Sequence, residues 1–164
     1  MPPGGTVVDV ACGSGRNLRL ARSLGHPGVG IDLDLSGVQD LREDRGVTLI
    51  AHDLEADGWP LAGQHFAGVM VTSYLWRALL PTIVDAVAPD GVLIYQTFAA
   101  GNERYGRPRR PEFLLEPGEL LEACSGKLTV IAYRMATLSD PMRVVQSIVA
   151  VGPDHAWVSA PPAP

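Results

Sequence analysis

Val7-Val8-Asp9-Val10-Ala11-Cys12-Gly13-Ser14-Gly15-Arg16-Asn17-Leu18 is the stretch whose reading decides the architecture. Thr6 to Val10 is short, apolar and β-branched, and reads as a buried strand. A glycine turn follows it. Asn17 to Leu24 then reads as a helix, with Leu18, Leu20, Ala21 and Leu24 at near-helical spacing and Gly25 as its stop. Next comes Gly30-Ile31-Asp32-Leu33-Asp34, where a second strand, Val29 to Asp32, ends on a carboxylate. Glycines let a bulky ligand approach the backbone, and a carboxylate at the next strand end can hold a ribose diol.

The same alternation continues outward. Ser36 is placed to cap a helix running to about Asp44, with Gly46 after it. Val47 to Ala51 reads as a third strand with His52-Asp53-Leu54 at its end, and Gly58 to His65 as a loop. Ala67 to Thr72 is a fourth strand, and Tyr74 to Val87 a helix interrupted by Pro81. After the turn Ala88-Pro89-Asp90-Gly91, Val92 to Phe98 is a fifth strand, and a polar, proline-rich loop covers Ala99 to Glu116. Pro117 suits the first turn of a helix to Cys124, and Leu128 to Arg134 and Arg143 to Val151 read as a closing antiparallel pair. Alternating strands and helices predict an α/β fold: a single doubly wound, Rossmann-like sheet, mostly parallel, with an antiparallel C-terminal strand. One domain over residues 1–158 is expected, with a disordered tail at 159–164.

Composition narrows the function classes. The 164 residues are 46% hydrophobic and 19% charged, enough for one sizeable core. The net charge of -5 disfavours a nucleic-acid partner. Arginines concentrate only at Arg104, Arg107, Arg109 and Arg110, which suits a small anion better than a polyanion. Cys12 and Cys124 form neither a disulfide framework nor a metal-ligand spacing, so no metal is expected. No apolar run reaches the ~20 residues of a membrane span, and the N-terminus is unlike a signal peptide. A cytoplasmic protein is the expectation.

The ordered set Asp9-x-Ala11-x-Gly13-x-Gly15, Asp32 and His52-Asp53-Leu54 resembles the cofactor site of class I S-adenosylmethionine-dependent methyltransferases. The resemblance spans roughly Val7 to Val151. It implies S-adenosylmethionine as cofactor and S-adenosylhomocysteine as product. It also implies that Gly13 and Gly15, in one turn with Ala11 and Cys12, lie against the methionine part, with Asp9 near its amino end. Asp32, with Leu33 beside it, is implied for the ribose, and Asp53 and Leu54 for the adenine. Thr72 is implied for the amino-acid end. Ala11 stands where the family has glycine, a mild departure if its φ is negative. His52 reads as structural, and Asp34 as a cap for the next helix.

The acceptor half carries less. Thr72-Ser73-Tyr74-Leu75-Trp76-Arg77 ends the fourth strand where the family's reactive methyl group faces, so Tyr74, Trp76 and Arg77 are candidates for a substrate wall. Trp76 reads equally well as a surface cover. Phe98, Arg104 and Arg107, in or before the long loop, are further substrate candidates, and the loop itself a candidate lid. Phe113 to Leu120 resembles the segment before the late helix in tellurite-resistance-type and related small-molecule methyltransferases. No base stands out; Tyr74, Glu103 and Tyr105 are the candidates. The leading expectation is in-line methyl transfer to a small-molecule acceptor, and a homodimer is compatible with it. The alternatives are a non-catalytic S-adenosylmethionine-binding module and an NAD(P)-dependent oxidoreductase. The latter's fingerprint wants a third glycine where Leu18 stands. Family members usually carry a helix before the first strand. Here that strand begins almost at once, and truncation or a covering partner is the expectation.

Overall fold

Every residue of β1 (Val7–Val10) is buried, because it lies between two parallel neighbours, β2 (Gly28–Asp32) and β4 (Phe66–Thr72). The computed structural model describes residues 1–163. With β3 (Val47–Ala51), β5 (Val87–Phe98), β6 (Thr129–Ser139) and β7 (Met142–Val151), these strands form one seven-stranded sheet in the order β3-β2-β1-β4-β5-β7-β6. Strands β1 to β5 are parallel, and β7 runs antiparallel to both β5 and β6. The fold is the expected doubly wound sheet. Its order reverses between β1 and β4, and ligands of such sheets sit at the carboxyl ends of strands beside that switch point.

Helix α1 (Arg16–Ser23) packs Leu18 and Ala21 into the core. Arg22 at its end grips Asp44 with two hydrogen bonds of 2.9 and 3.0 Å, fixing the turn that leads into β3. The remaining helices, α2 (Leu80–Asp85) and α3 (Glu119–Cys124), are short.

Several elements differ from expectation for local reasons. The helix expected from Ser36 is a 3₁₀ stretch, Ser36–Leu41. Its start is held by Asp34, whose carboxylate accepts from the Ser36 amide (2.8 Å) and hydroxyl (3.0 Å), so Ser36 is the capped residue rather than the cap. The helix expected over Tyr74–Val87 shrinks to a 3₁₀ turn, Arg77–Leu79, and α2. Pro81 sits in the first turn of α2 and begins that helix instead of breaking it. Likewise β5 begins at Val87, and the Ala88–Gly91 turn is absorbed as an irregularity in its pairing with β4. Both strands of the closing hairpin extend further, joined only by Asp140-Pro141. In the tail, Ala156–Val158 forms a 3₁₀ turn, residues 160–163 are exposed, and Pro164 lies outside the described residues.

Candidate functional site

A cleft of about 450 Å³ opens at the carboxyl ends of the strands around the switch point. It brings together six of the residues singled out by sequence, Ala11, Asp32, Leu33, Asp53, Leu54 and Tyr74, and adds His52, Glu55 and Ser73. Ala11 (φ +54°) and Ser73 (φ +57°) are the only non-glycine residues with positive φ among the described residues, and both line this cleft. A left-handed backbone costs an L-residue ~1–2 kcal/mol, and such strain concentrates at ligand sites. The premise of a negative φ at Ala11 is therefore corrected: the turn holds it in the conformation glycine prefers.

The two loop glycines do different jobs. At Gly13 (φ +51°) an added Cβ would meet nothing within 4 Å, so its backbone borders open space. At Gly15 (φ +70°) a Cβ would lie 2.4 Å from Val38, so close packing demands this glycine. Cys12 is buried in the cluster with Leu18, Leu35, Val38 and Leu41. Burial, reinforced by the charges of Asp9 and Asp32, pushes its thiol up to about 12. It is a neutral packing group outside the cleft.

Asp32 braces the turn. One carboxylate oxygen accepts from the Gly13 amide (2.8 Å) and the other from the Asp34 amide (3.0 Å). Each oxygen keeps a further lone pair, so this use leaves room for a ligand hydroxyl. Asp53 accepts from the amides of Glu55 (2.9 Å) and Ala56 (3.0 Å) through Oδ1. His52 bonds the Gly58 carbonyl through Nε2 at 3.0 Å, a structural use.

Asp9 does not line the cleft but lies buried beside the glycine turn that does. It is 1% exposed, and Oδ1 accepts from Asn17 Nδ2 at 3.1 Å, whereas Oδ2 is buried without a partner. Burial raises its pKa to about 6, opposed by the Asn17 hydrogen bond and the nearby Arg16 charge. Asn17 also donates to Thr72 Oγ1 at 3.1 Å, tying the end of β1 to the end of β4. Sequence reasoning overlooked Asn17; its place in the first turn after the glycine loop was the available signal.

Tyr74 has the second buried, unpartnered polar atom, its hydroxyl. Burial, then the carboxylates of Glu55, Asp53 and Asp32, push the phenol up to about 12, so at neutral pH it is a donor and not a base. Trp76 packs against the main core. Arg77 turns away to grip Glu119 through Nε (2.7 Å) and Nη2 (2.9 Å), and donates to the carbonyls of Glu112 (2.9 Å) and Leu114 (2.7 Å). With its guanidinium so committed, Arg77 is a strut between the end of β4 and α3. Phe98 lies in the β5–β7 ladder opposite Val145. Glu103 accepts from the Gly101 amide at 2.8 Å, and Arg104 and Tyr105 are exposed. None of Phe98, Glu103, Arg104, Tyr105 and Arg107 lines the cleft.

The loop after β5 is braced at its base. Asn102, 1% exposed, accepts from the Val144 amide and donates to the Pro108 carbonyl, both at 3.1 Å. The Ala100 amide donates to the Leu115 carbonyl (2.9 Å), and Gln146 donates to the Glu116 carbonyl (2.6 Å). Among the described residues no cluster of His, Cys, Asp and Glu is arranged to hold a metal, and no helix is long and apolar enough to cross a membrane.

No family model matches the sequence, and neither does any curated protein. Solved structures do match. TehB from Haemophilus influenzae superposes with a TM-score of 0.72 at 17% identity over 93% of this chain, which spans only 58% of that protein. The 1,6-didemethyltoxoflavin-N1-methyltransferase of Burkholderia thailandensis, solved with S-adenosylhomocysteine, gives 0.71 at 17% identity, covering 93% of this chain and 72% of the other. The [4+2]-cyclase SpnF gives 0.67 at 17% identity, covering 92% and 75%. One fold thus serves more than one chemistry, and function must be argued from the site. With this strand order, reversal point and set of relatives, the chain has the fold of S-adenosylmethionine-dependent methyltransferases.

Proposed function

We propose that the cleft binds S-adenosylmethionine and that the protein transfers its methyl group to a small-molecule acceptor. The observation that carries this reading is the buried, partnerless Oδ2 of Asp9 beside the glycine turn. An unpaired buried carboxylate oxygen is costly, and a ligand ammonium supplies the missing donors. The neighbouring residues fit the rest of the cofactor. Gly13 leaves space for the methionine part, Asp32 retains acceptor capacity for ribose hydroxyls, and Asp53 and Leu54 stand at the next strand end for the adenine. When bound, S-adenosylmethionine supplies an electrophilic methyl group for in-line displacement. The chain's own part is alignment and exclusion of water, which this chemistry needs more than a base. Tyr74, with its protonated hydroxyl, is suited to orient an acceptor lone pair.

The oxidoreductase reading fares worse, because Leu18 occupies the third-glycine place and is 0% exposed in the core. The fold's use by a cyclase keeps a non-methylating role as the second reading. Calorimetry with S-adenosylhomocysteine tests the site. The unaltered protein should bind it. Asp9→Asn should weaken binding about 10- to 100-fold, the loss of one charge-assisted interaction of ~1.5–3 kcal/mol. Gly13→Val should abolish binding while circular dichroism stays native. Unchanged affinity in either variant refutes the assignment. Turnover with a panel of small acceptors separates catalysis from mere binding.

A further inference from the structure

A second concavity lies on the loop after β5. Arg107, Pro108, Arg109, Arg110 and Phe113 line an open groove of about 480 Å³, and no residue lines both it and the cofactor cleft. Its character is opposite to that of the molecule. The chain carries a net charge of -5, yet this groove offers three guanidinium groups and no carboxylate among its lining residues.

The three arginines are not equivalent. Arg110 is committed twice: its Nε donates to Glu112 Oε1 at 2.8 Å, and its guanidinium stands over the Phe113 ring, 5.3 Å from the centroid. It therefore fixes the aromatic floor. Arg107 and Arg109 form no ion pair among the described residues, so their charge is left for a ligand. The frame beneath them is held. Asn102 clamps the Pro108 carbonyl, and Arg77 holds the carbonyls of Glu112 and Leu114. Guanidinium groups on a braced backbone lose less entropy when they bind than groups on a free coil.

The ligand class follows from the lining. Two free guanidinium groups select an anion, because they pair in a forked geometry with carboxylate or phosphate. A half-buried phenyl ring and a proline beneath them have no use for a bare inorganic anion. They suit a flat apolar body that packs against the ring and the proline, and the volume admits one. We propose that this groove binds an organic anion with an aromatic body, its acidic group on Arg107 and Arg109 and its ring against Phe113 and Pro108. The site stands independently of the cofactor reading.

Calorimetry with 1-naphthoate, 1-naphthamide and inorganic sulfate, at near-physiological salt, tests this. Naphthoate should bind, with the uncharged amide and sulfate each at least tenfold weaker. The double variant Arg107→Gln/Arg109→Gln should lose at least tenfold in naphthoate affinity. Phe113→Ala should weaken naphthoate without changing sulfate. Amide shifts on titration should fall within residues 104–114. Equal binding of amide and naphthoate, equal binding of sulfate and naphthoate, or undiminished affinity in the double variant overturns the proposal. A parallel titration with S-adenosylhomocysteine keeps the two readings apart: its failure while naphthoate binds removes the cofactor assignment and leaves the groove.

Discussion

Asp9 is costly to the folded state. Its pKa rises from the ordinary 3.8 to about 6, mainly through burial, so the ionised form is penalised in the folded state. At ~1.4 kcal/mol per tenfold change in acidity, the folded protein bears a penalty of roughly 3 kcal/mol at neutral pH. The sign follows from which state holds the proton. Above pH 6 both states are ionised and the whole penalty is present. As pH falls from about 6 toward 3.8, the folded state takes up its proton before the unfolded chain does, and the penalty is relieved. Asp9→Asn should therefore raise ligand-free stability by ~1–3 kcal/mol above pH 7, with the gain fading near pH 4, as urea melts across that range would read. A gain that persists at pH 4, or a loss at pH 7, contradicts the buried-charge account. Ser73 and Ala11, which line the cleft, carry a related cost in backbone strain. Sequence shows an acid before a glycine turn. It does not show that one carboxylate oxygen is bonded to Asn17 while the other is left alone, because that depends on how closely β4 and α1 pack around it.

Among the elements, the loop after β5 departs furthest from expectation. A stretch of polar residues and prolines reads as a lid over 99–116. Yet Asn102, Gln146 and Arg77 hold both its ends, and Asn102 also holds the Pro108 carbonyl in its middle. Hydrogen exchange should therefore find slow amides at Ala100 and Leu115, which donate to Leu115 and Phe98 carbonyls, flanking faster exchange at the exposed residues Arg109 and Arg110. Arg77→Met should remove the strut, lower stability by about 1–2 kcal/mol because the guanidinium is partly solvated, and speed exchange over residues 112–119. Uniformly fast exchange across 99–116 in the unaltered protein returns the whole loop to a lid. The partners of Arg77 lie 34 to 42 residues away in the chain. No local pattern announces such a contact. The helix expected at Tyr74–Val87 failed for a more local reason: Pro81 favours the first turn of a helix, and the residues before it took another path.

For the whole molecule, the cofactor reading has a consequence independent of any single residue. A ligand that binds only the folded state, at a hundred times its Kd, stabilises by ~2.7 kcal/mol. For a domain of 164 residues that corresponds to a rise in Tm of roughly 5–10 °C. S-adenosylhomocysteine should produce this shift and NADH should leave Tm unchanged; the reverse pattern restores the oxidoreductase. The sequence by itself determined the doubly wound sheet, because valine-rich runs alternating with helical segments must bury both faces of parallel strands. It also determined the glycine turn after β1 and the acids at the ends of β2 and β3, since those depend only on order along the chain. Tertiary structure alone decided which of these residues share one cleft, that Gly15 serves Val38 while Gly13 faces open space, and that Arg77 is a strut. These depend on distances between strands and loops remote in sequence, and such distances are set by the packing of the whole core.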